Sequence, residues 1–322
     1  MPYLVRRAGH SAIMLLVVVS FVFFAGRMIG DPAIVMLGAS ASDTALEQLR
    51  NNLGLNDPLL MQYFRYVGGL VQGDLGVSFR YGFAQMPAER FMDGGGTPVM
   101  GLVLARLPQT LYLAAVALGG ALALALVMGC LAAMYPRSWI DHLVNVLSLA
   151  SVSVVQFWLG LVLIVLFAVH LGWLPTGGYG SWYHVILPAL ALGARPLGRV
   201  AQVTRSAMLD EMARPYVAAA RAKGLPEHRI VSVHALKNAG IPVVTITGDE
   251  LVQLVTGAIL VETVFGWPGI GHLLVEALNN RDLPVLQGAI LAVATLVIVV
   301  NLLVDITYTY LNPKVSLSSR EN

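Results

Sequence analysis

Long apolar runs separated by short polar connections make up most of this chain. They fall at roughly 9–30, 109–134, 143–171, 183–207, 241–263 and 285–311. About 20 residues at 1.5 Å rise cross a hydrocarbon core, so each run is long enough to span as a helix. The one sizeable polar piece, 31–108, lies between the first two runs. Within it ASDTALEQLRNNLGL offers Ser42 or Asp43 as a cap, then a helical run, then Gly54 where a helix should stop. Pro58 opens DPLLMQYFRYVGGL, apolar and aromatic on one face and ending near Gly68–Gly69. The tract RYGFAQMPAERFMDGGGTP, with Gly94–Gly96 in a row, reads as a mobile loop. The pattern predicts an all-α membrane protein of six transmembrane helices, with two short helices on its outer face.

Composition agrees. The chain has 322 residues, 57% hydrophobic and 12% charged, with a mean hydropathy of +0.73. Soluble domains carry about a quarter charged residues. A net charge of +2 without any Lys/Arg run argues against nucleic acid. Cys130, the single cysteine, excludes a disulfide or a Cys-based zinc site within one chain. Arg6 and Arg7 precede the first run as in a secretory signal, but no small-x-small cleavage site follows FVFFAGRMIG, which points to a retained anchor. Basic residues of the short loops set orientation. With the N-terminus inside, the inner side holds Arg6, Arg7, Arg137, Arg205, Arg214, Arg221, Lys223, Arg229, Lys237, Lys314 and Arg320, whereas the short outer loops hold only Arg281. Both termini are therefore expected in the cytoplasm.

Ionisable residues interrupt the fourth and fifth runs. Arg195 and Arg199 are four apart and share a helix face, with Pro196 between them. Asp249 and Glu250 fall about 13 Å into the fifth run. Charges at that depth need a partner or a wet cavity. Two readings stand: the four residues line a passage, or they form an interhelical salt bridge, with Arg199 alternatively snorkelling to the headgroups. Asn301 and Asp305 suit helix–helix gluing. TGGYG at 176–180 resembles a potassium-filter loop, but the run before it reads as a full span with no room for a re-entrant helix, so a tight turn fits better.

No His-Glu-x-x-His, Gly-x-Ser-x-Gly or Gly-x-x-x-x-Gly-Lys motif occurs, which argues against an enzyme and against ATP bound by this chain. His228 and His234, six apart, do not share a helix face. The most soluble-looking stretch of the apolar half is YVAAARAKGLPEHRIVSVHALKNA, 216–239. YVAAARAK is strongly helical, Gly224 suits a left-handed stop, and Pro226 fits the first turn of a second short helix, EHRIVSVHALKN. Two short helices at an angle would form a knob at the cytoplasmic surface. Ala218, Ala219, Ala220 and Gly224 would let another backbone approach, and Arg221, Lys223 and Arg229 would ring the knob with charge. An amphipathic segment lying on lipid is the alternative, against which no bulky apolar face is present.

ARAKGL followed by HALKNAGIPVVT resembles the cytoplasmic Glu-Ala-Ala loop of permease subunits in binding-protein-dependent ABC importers. GDLGVSF at 73–79, RLPQTLYLA at 106–114, VFGWPGIGHLL at 264–274, RDLPVLQG at 281–288 and NLLVDITYTYLNPKV at 301–315 extend the resemblance over essentially the whole chain. Within that family the closer resemblance is to the dipeptide/oligopeptide/nickel group, specifically its first permease.

The resemblance implies a type I ABC importer permease fold in a bacterial inner membrane and an ATPase-coupling loop comprising Tyr216, Ala219, Ala220, Arg221, Lys223, Gly224 and Leu225. The partners it implies are a second homologous permease, two cytoplasmic ATPase subunits and an extracytoplasmic solute-binding protein. ATP and Mg would be bound by the partners, with no cofactor in this chain. The implied cargo is di- or oligopeptides; the alternative is an ion-gradient-driven transporter or channel using Asp249 and Glu250. The expected domains are an anchor at 1–30, an extracytoplasmic segment at 31–108, a permease core at 109–315 with its coupling loop at 208–240, and a tail at 316–322. Four departures from the family pattern stand out. Ala218 holds the acidic position of the loop, and Leu236–Lys237 hold its Leu-Pro pair. The outer tract 79–97 is lengthened. Asp249–Glu250 occupy a stretch usually apolar in relatives.

Overall fold

From Val99 to Met134 the chain is one unbroken helix that carries Pro108 in its interior. In the computed structural model, the residues described are 2–29, 33–34, 42–52, 54–78, 80–81 and 96–311. Most of the lengthened tract 79–97, including Gly94, lies outside them, as do the tail 316–322, Lys314 and Arg320. The helices are α1 (Pro2–Ile29), α2 (Asp43–Asn52), α3 (Leu59–Val71), α4 (Val99–Met134), α5 (Trp139–Ser153) and α6 (Gln156–His170, π-helical from Ile164). They continue with α7 (Tyr183–Met212), α8 (Pro215–Ala222), α9 (Glu227–Phe265), α10 (Ile270–Asn279) and α11 (Leu283–Leu311). Among the described residues the only β-type pairing is an isolated bridge, Val77 to Pro98.

Two compact units divide these helices: Met1–Thr110 with Pro268–Ile298, and Leu111–Trp267 with Val299–Asn322. In the first, Ser42 Oγ accepts from Ala45 N–H at the start of α2, and Gly54 takes φ 63 after its end. α3 opens after Pro58 and ends at Val71, two to three residues beyond the glycine pair, because Gln72 N–H still reaches the Gly68 and Gly69 carbonyls. Its aromatic face packs on α1 through Phe23 with Tyr63 and Tyr66, and Tyr63 shares a hydrogen bond with Ser20. Val99, Val103, Leu273, Ala277 and Val285 form the apolar centre beside them. Asp282, fully buried, accepts from Ser78 Oγ and Arg80 N–H. The segments GDLGVSF and RDLPVLQG are thus pinned together.

In the second unit α7 is the central helix, with α9, α5 and α6 packed against it. Close approach there depends on missing side chains. A Cβ at Gly193 would stand 2.9 Å from the Ala117 carbonyl oxygen, and one at Gly198 would stand 2.5 Å from the Ser148 carbonyl oxygen. Leu113, Leu187, Leu192, Leu254, Phe265 and Trp267 fill the core around these contacts.

Two expectations need correction. The run 143–171 is not one straight span: α5 and α6 meet at a bend of 109°. Gln156, the first residue after the bend, donates to the Leu192 carbonyl of α7 and thereby fixes α6 there. TGGYG is therefore preceded by a bent helix pair and not by a full straight span. The glycines nevertheless serve close packing: Gly178 N–H donates to the Phe265 carbonyl at 2.7 Å, and a Cβ at Gly177 would collide with that same oxygen. The second correction concerns EHRIVSVHALKN, which is not a separate short helix. It runs through a π-helical stretch, Ile230–Ala235, into the rest of the 39-residue α9, with Pro242 accommodated in its interior.

Of the six runs, α1, α4, α9 and α11 are long and apolar enough to cross a membrane, and α5–α6 makes a fifth if the bent pair counts as one span. The remaining run lies in α7, which is 30 residues long but carries Arg195, Arg199, Gln202 and Arg205.

Candidate functional site: the loop between α7 and α9

The loop starts where Arg214 takes an extended conformation and Pro215 fills the first position of α8, which needs no amide donor there. Val217 is buried on its inner side, and Ala218, Ala219 and Ala222 are exposed on its outer side. α8 ends when Gly224 turns left-handed at φ 76 and Leu225 N–H reaches back to the Ala220 carbonyl. Nothing lies within 4 Å of where a Gly224 Cβ would be. The chain then restarts at Pro226, whose carbonyl accepts from Arg229 and Ile230.

Polar ties hold the loop at two levels. At its base, Tyr216 Oη donates to Glu211 Oε2 at 2.8 Å, and Asn238 Nδ2 donates to Tyr216 Oη at 3.2 Å. Burial, then the bond to Glu211, pushes the Tyr216 phenol above its ordinary value. At the tip, Arg221 Nη2 and Nε donate to the two oxygens of Glu227 at 2.5 and 3.2 Å. That contact raises the Arg221 value further above the ordinary arginine range. Below the loop, Val231, Ala235 and Ala239 of α9 pack with Ala133 and Met208. The knob is therefore mounted on three helices.

These contacts redistribute the expected roles. Ala219 and Gly224 present a small, open surface, with Lys223 exposed beside them and Ala220 and Leu225 half-buried. Arg221 does not ring the knob as a free charge; its guanidinium is spent on Glu227 and braces the turn. Tyr216 keeps an exposed ring, but its hydroxyl serves the base.

A second constellation lies between α7 and α9. Arg195 Nε stands 3.7 Å from Glu250 Oε2, and Arg199 Nε stands 3.5 Å from Glu250 Oε1. The Glu250 side chain is 3% exposed and the two arginines 44% and 46%. Asp249, one residue earlier and so turned about 100° round the helix, sits on the exposed face. The structure thus brings three of the four ionisable residues into one ion-pair cluster, with Asp249 on the adjacent, exposed face. Among the described residues, no three His, Cys, Asp or Glu side chains gather as a metal site.

One buried ion pair has no counterpart in the sequence reading. Arg205 Nε and Nη2 donate to the two oxygens of Asp141 at 2.5 and 2.8 Å, joining α7 to the start of α5. Asp141 also accepts from Arg137 N–H and Asn145. The one signal available was Ser138-x-x-Asp141 ahead of an apolar run, and Ser138 Oγ does cap α5 by accepting from Asp141 N–H.

Comparison with known proteins identifies the family. Residues 125–317 match the family described as binding-protein-dependent transport system inner membrane component, and residues 1–114 match its N-terminal region. The di/tripeptide transport system permease protein DppB of Pseudomonas aeruginosa is 40% identical over 345 aligned positions, covering 98% of each chain. The oligopeptide transport system permease protein AppB of Bacillus subtilis is 37% identical, and the glutathione transport system permease protein GsiC of Escherichia coli is 38% identical; each comparison covers 97% of this chain and 98% of the relative. The chain therefore belongs to the binding-protein-dependent transport system inner membrane components, the multi-pass permease subunits of ABC importers whose ATP hydrolysis lies in partner subunits.

Proposed function

We propose that this permease carries di- or oligopeptides inward by alternating access, and that the loop from Tyr216 to Leu225 receives the stroke of the ATPases. The supporting observation is the build of the loop: an exposed small-residue surface on a base tied to α7 and α9. A rigid mounting of this kind passes displacement into the helices, whereas a floppy loop would absorb it. Ala219 and Gly224 let a partner backbone come close, and Lys223 adds charge at the rim. In this reading the N- and C-termini face the cytoplasm and α7 supplies the sixth span, its arginines turned to a polar passage. A second permease, two ATPases holding ATP and Mg, and an extracytoplasmic binding protein complete the unit.

Peptide cargo is favoured because the relatives are named for glutathione, oligopeptides and di/tripeptides. The gradient-driven alternative is not favoured: Glu250, its proposed ion site, is matched by two guanidinium groups. The test is ATP-dependent uptake of peptides of graded length by the assembled transporter in proteoliposomes. Uptake without ATP, or none of any peptide, contradicts the proposal.

A further inference from the structure

Polar positions recur along the exposed faces of α7 and α9 at helical spacing. On α7 they are Arg195, Arg199, Gln202, Ser206 and Asp210, and on α9 they are Thr245, Asp249, Gln253 and Thr256. Offsets of three and four put each set on one stripe. Such a stripe within a span does not face hydrocarbon, where an ionised side chain is costly. It faces water or protein.

Within it the charges are unevenly presented. Glu250 is buried, and each arginine comes closest to it through Nε, at 3.7 Å from Arg195 and 3.5 Å from Arg199. Charge-assisted hydrogen bonds are about 2.8 Å long, so these are loose pairings. Neither Glu250 Oε2 nor Arg195 Nε makes a hydrogen bond. Glu250 offsets one of the two cations, Asp249 stands one residue away on the exposed stripe, and both arginine side chains are nearly half exposed. A guanidinium fork matches a carboxylate with two parallel hydrogen bonds.

We infer that Arg195 and Arg199, positioned by Glu250, form a carboxylate-binding station in the passage, which engages the C-terminal carboxylate of a passing peptide. The inference rests on the peptide-importer reading and adds a selectivity that the permease itself exerts. Glu250 is a positioning residue: it holds the two forks side by side and tempers their charge, so that the cargo binds and then leaves.

The assembled transporter with its binding protein, in proteoliposomes, tests this with di-, tri- and penta-alanine and their C-terminal amides. Uptake is measured against the ATP hydrolysis stimulated by the loaded binding protein. The Arg195→Gln/Arg199→Gln variant is expected to lose about tenfold or more of free-acid uptake per ATP, to keep its amide uptake, and to keep stimulated hydrolysis. Arg199→Lys, which keeps charge without the fork, should fall between. Where the binding protein rejects amides, the free-acid ratio alone decides: a tenfold fall supports the station and an unchanged ratio overturns it. Acid and amide falling together, or loss of assembly in both Arg199→Gln and Arg199→Lys, also overturns it and leaves the arginines structural. If the wild-type complex takes up peptides and the variants do not discriminate, only the station fails. If it takes up none, the peptide-importer reading fails as well.

Discussion

Arg221 and Glu227 clasp the left-handed turn at Gly224 from its two sides, through hydrogen bonds of 2.5 and 3.2 Å. The clasp fixes the angle between α8 and the start of α9 at the point where the loop is most exposed. Both side chains are nearly half exposed, so water competes for them and the pair adds less than about 1 kcal/mol to stability. Its effect belongs to coupling. Arg221→Ala and Glu227→Ala should each leave the melting temperature of the purified complex nearly unchanged and lower uptake per ATP. The double variant should be no worse than either single one. Additive losses would show that the residues act separately.

Gly224 itself carries a stricter constraint. At φ 76 a side chain costs about 1–2 kcal/mol of backbone strain, although open space surrounds the position within this chain. Gly224→Val is expected to assemble and to lose coupling, because both the turn and the surface change. Gly224→Asn, which tolerates the left-handed region, should recover part of the coupling. Normal uptake and stimulated hydrolysis in the valine variant would argue against docking at this point.

Removing Arg205 should be more damaging than removing any charge of the loop. Asp141 is 3% exposed at its side chain; without Arg205 it keeps only the Arg137 amide and Asn145 as donors, a loss of about 2–3 kcal/mol. Arg205→Met should lower thermal stability sharply, and adding Asp141→Asn should restore part of it. Thermal unfolding of the purified complex followed by intrinsic fluorescence reads both effects. Equal melting temperatures for the single and double variants would contradict the pairing.

Helix packing around α7 gives a fourth expectation. Gly198→Ala would place a methyl group 2.1 Å from Ser151 Oγ and 2.5 Å from the Ser148 carbonyl oxygen. The hydroxyl can rotate away, but the carbonyl moves only with α5. A cost of about 1–3 kcal/mol follows, against none for Gly240→Ala, where nothing lies within 4 Å. Melting temperatures of the two variants side by side check the contrast.

Local signals made α2, α3 and the turn at Gly224 legible in the sequence, because a cap, a proline and a glycine each act within a few residues. The bend between α5 and α6 left no such mark: Val154 and Val155 are neither Gly nor Pro, and the bond that holds Gln156 just past the bend reaches a carbonyl 36 residues away. The continuity of α9 was hidden for the opposite reason. Gly240 and Pro242 look like a stop, yet the missing amide of Pro242 is tolerated within a helix otherwise held by packing of Ala235 and Ala239. Arg195, Arg199 and Glu250 stood out because charge within an apolar run needs an explanation. Asp141 lies just ahead of the run 143–171, where a charge raises no question. Arg221 showed its charge but not its partner, since the turn that brings Glu227 to it closes only in three dimensions.

The most direct test of the central claim is site-directed crosslinking of the loop in the assembled transporter. With Cys130 replaced by serine, single cysteines at Ala219 and Lys223 carry a short photoactivated crosslinker. The account predicts crosslinks to an ATPase subunit whose yield changes between the nucleotide-free and ATP-bound states. Crosslinks to lipid alone, or to no ATPase subunit in either state, would contradict it.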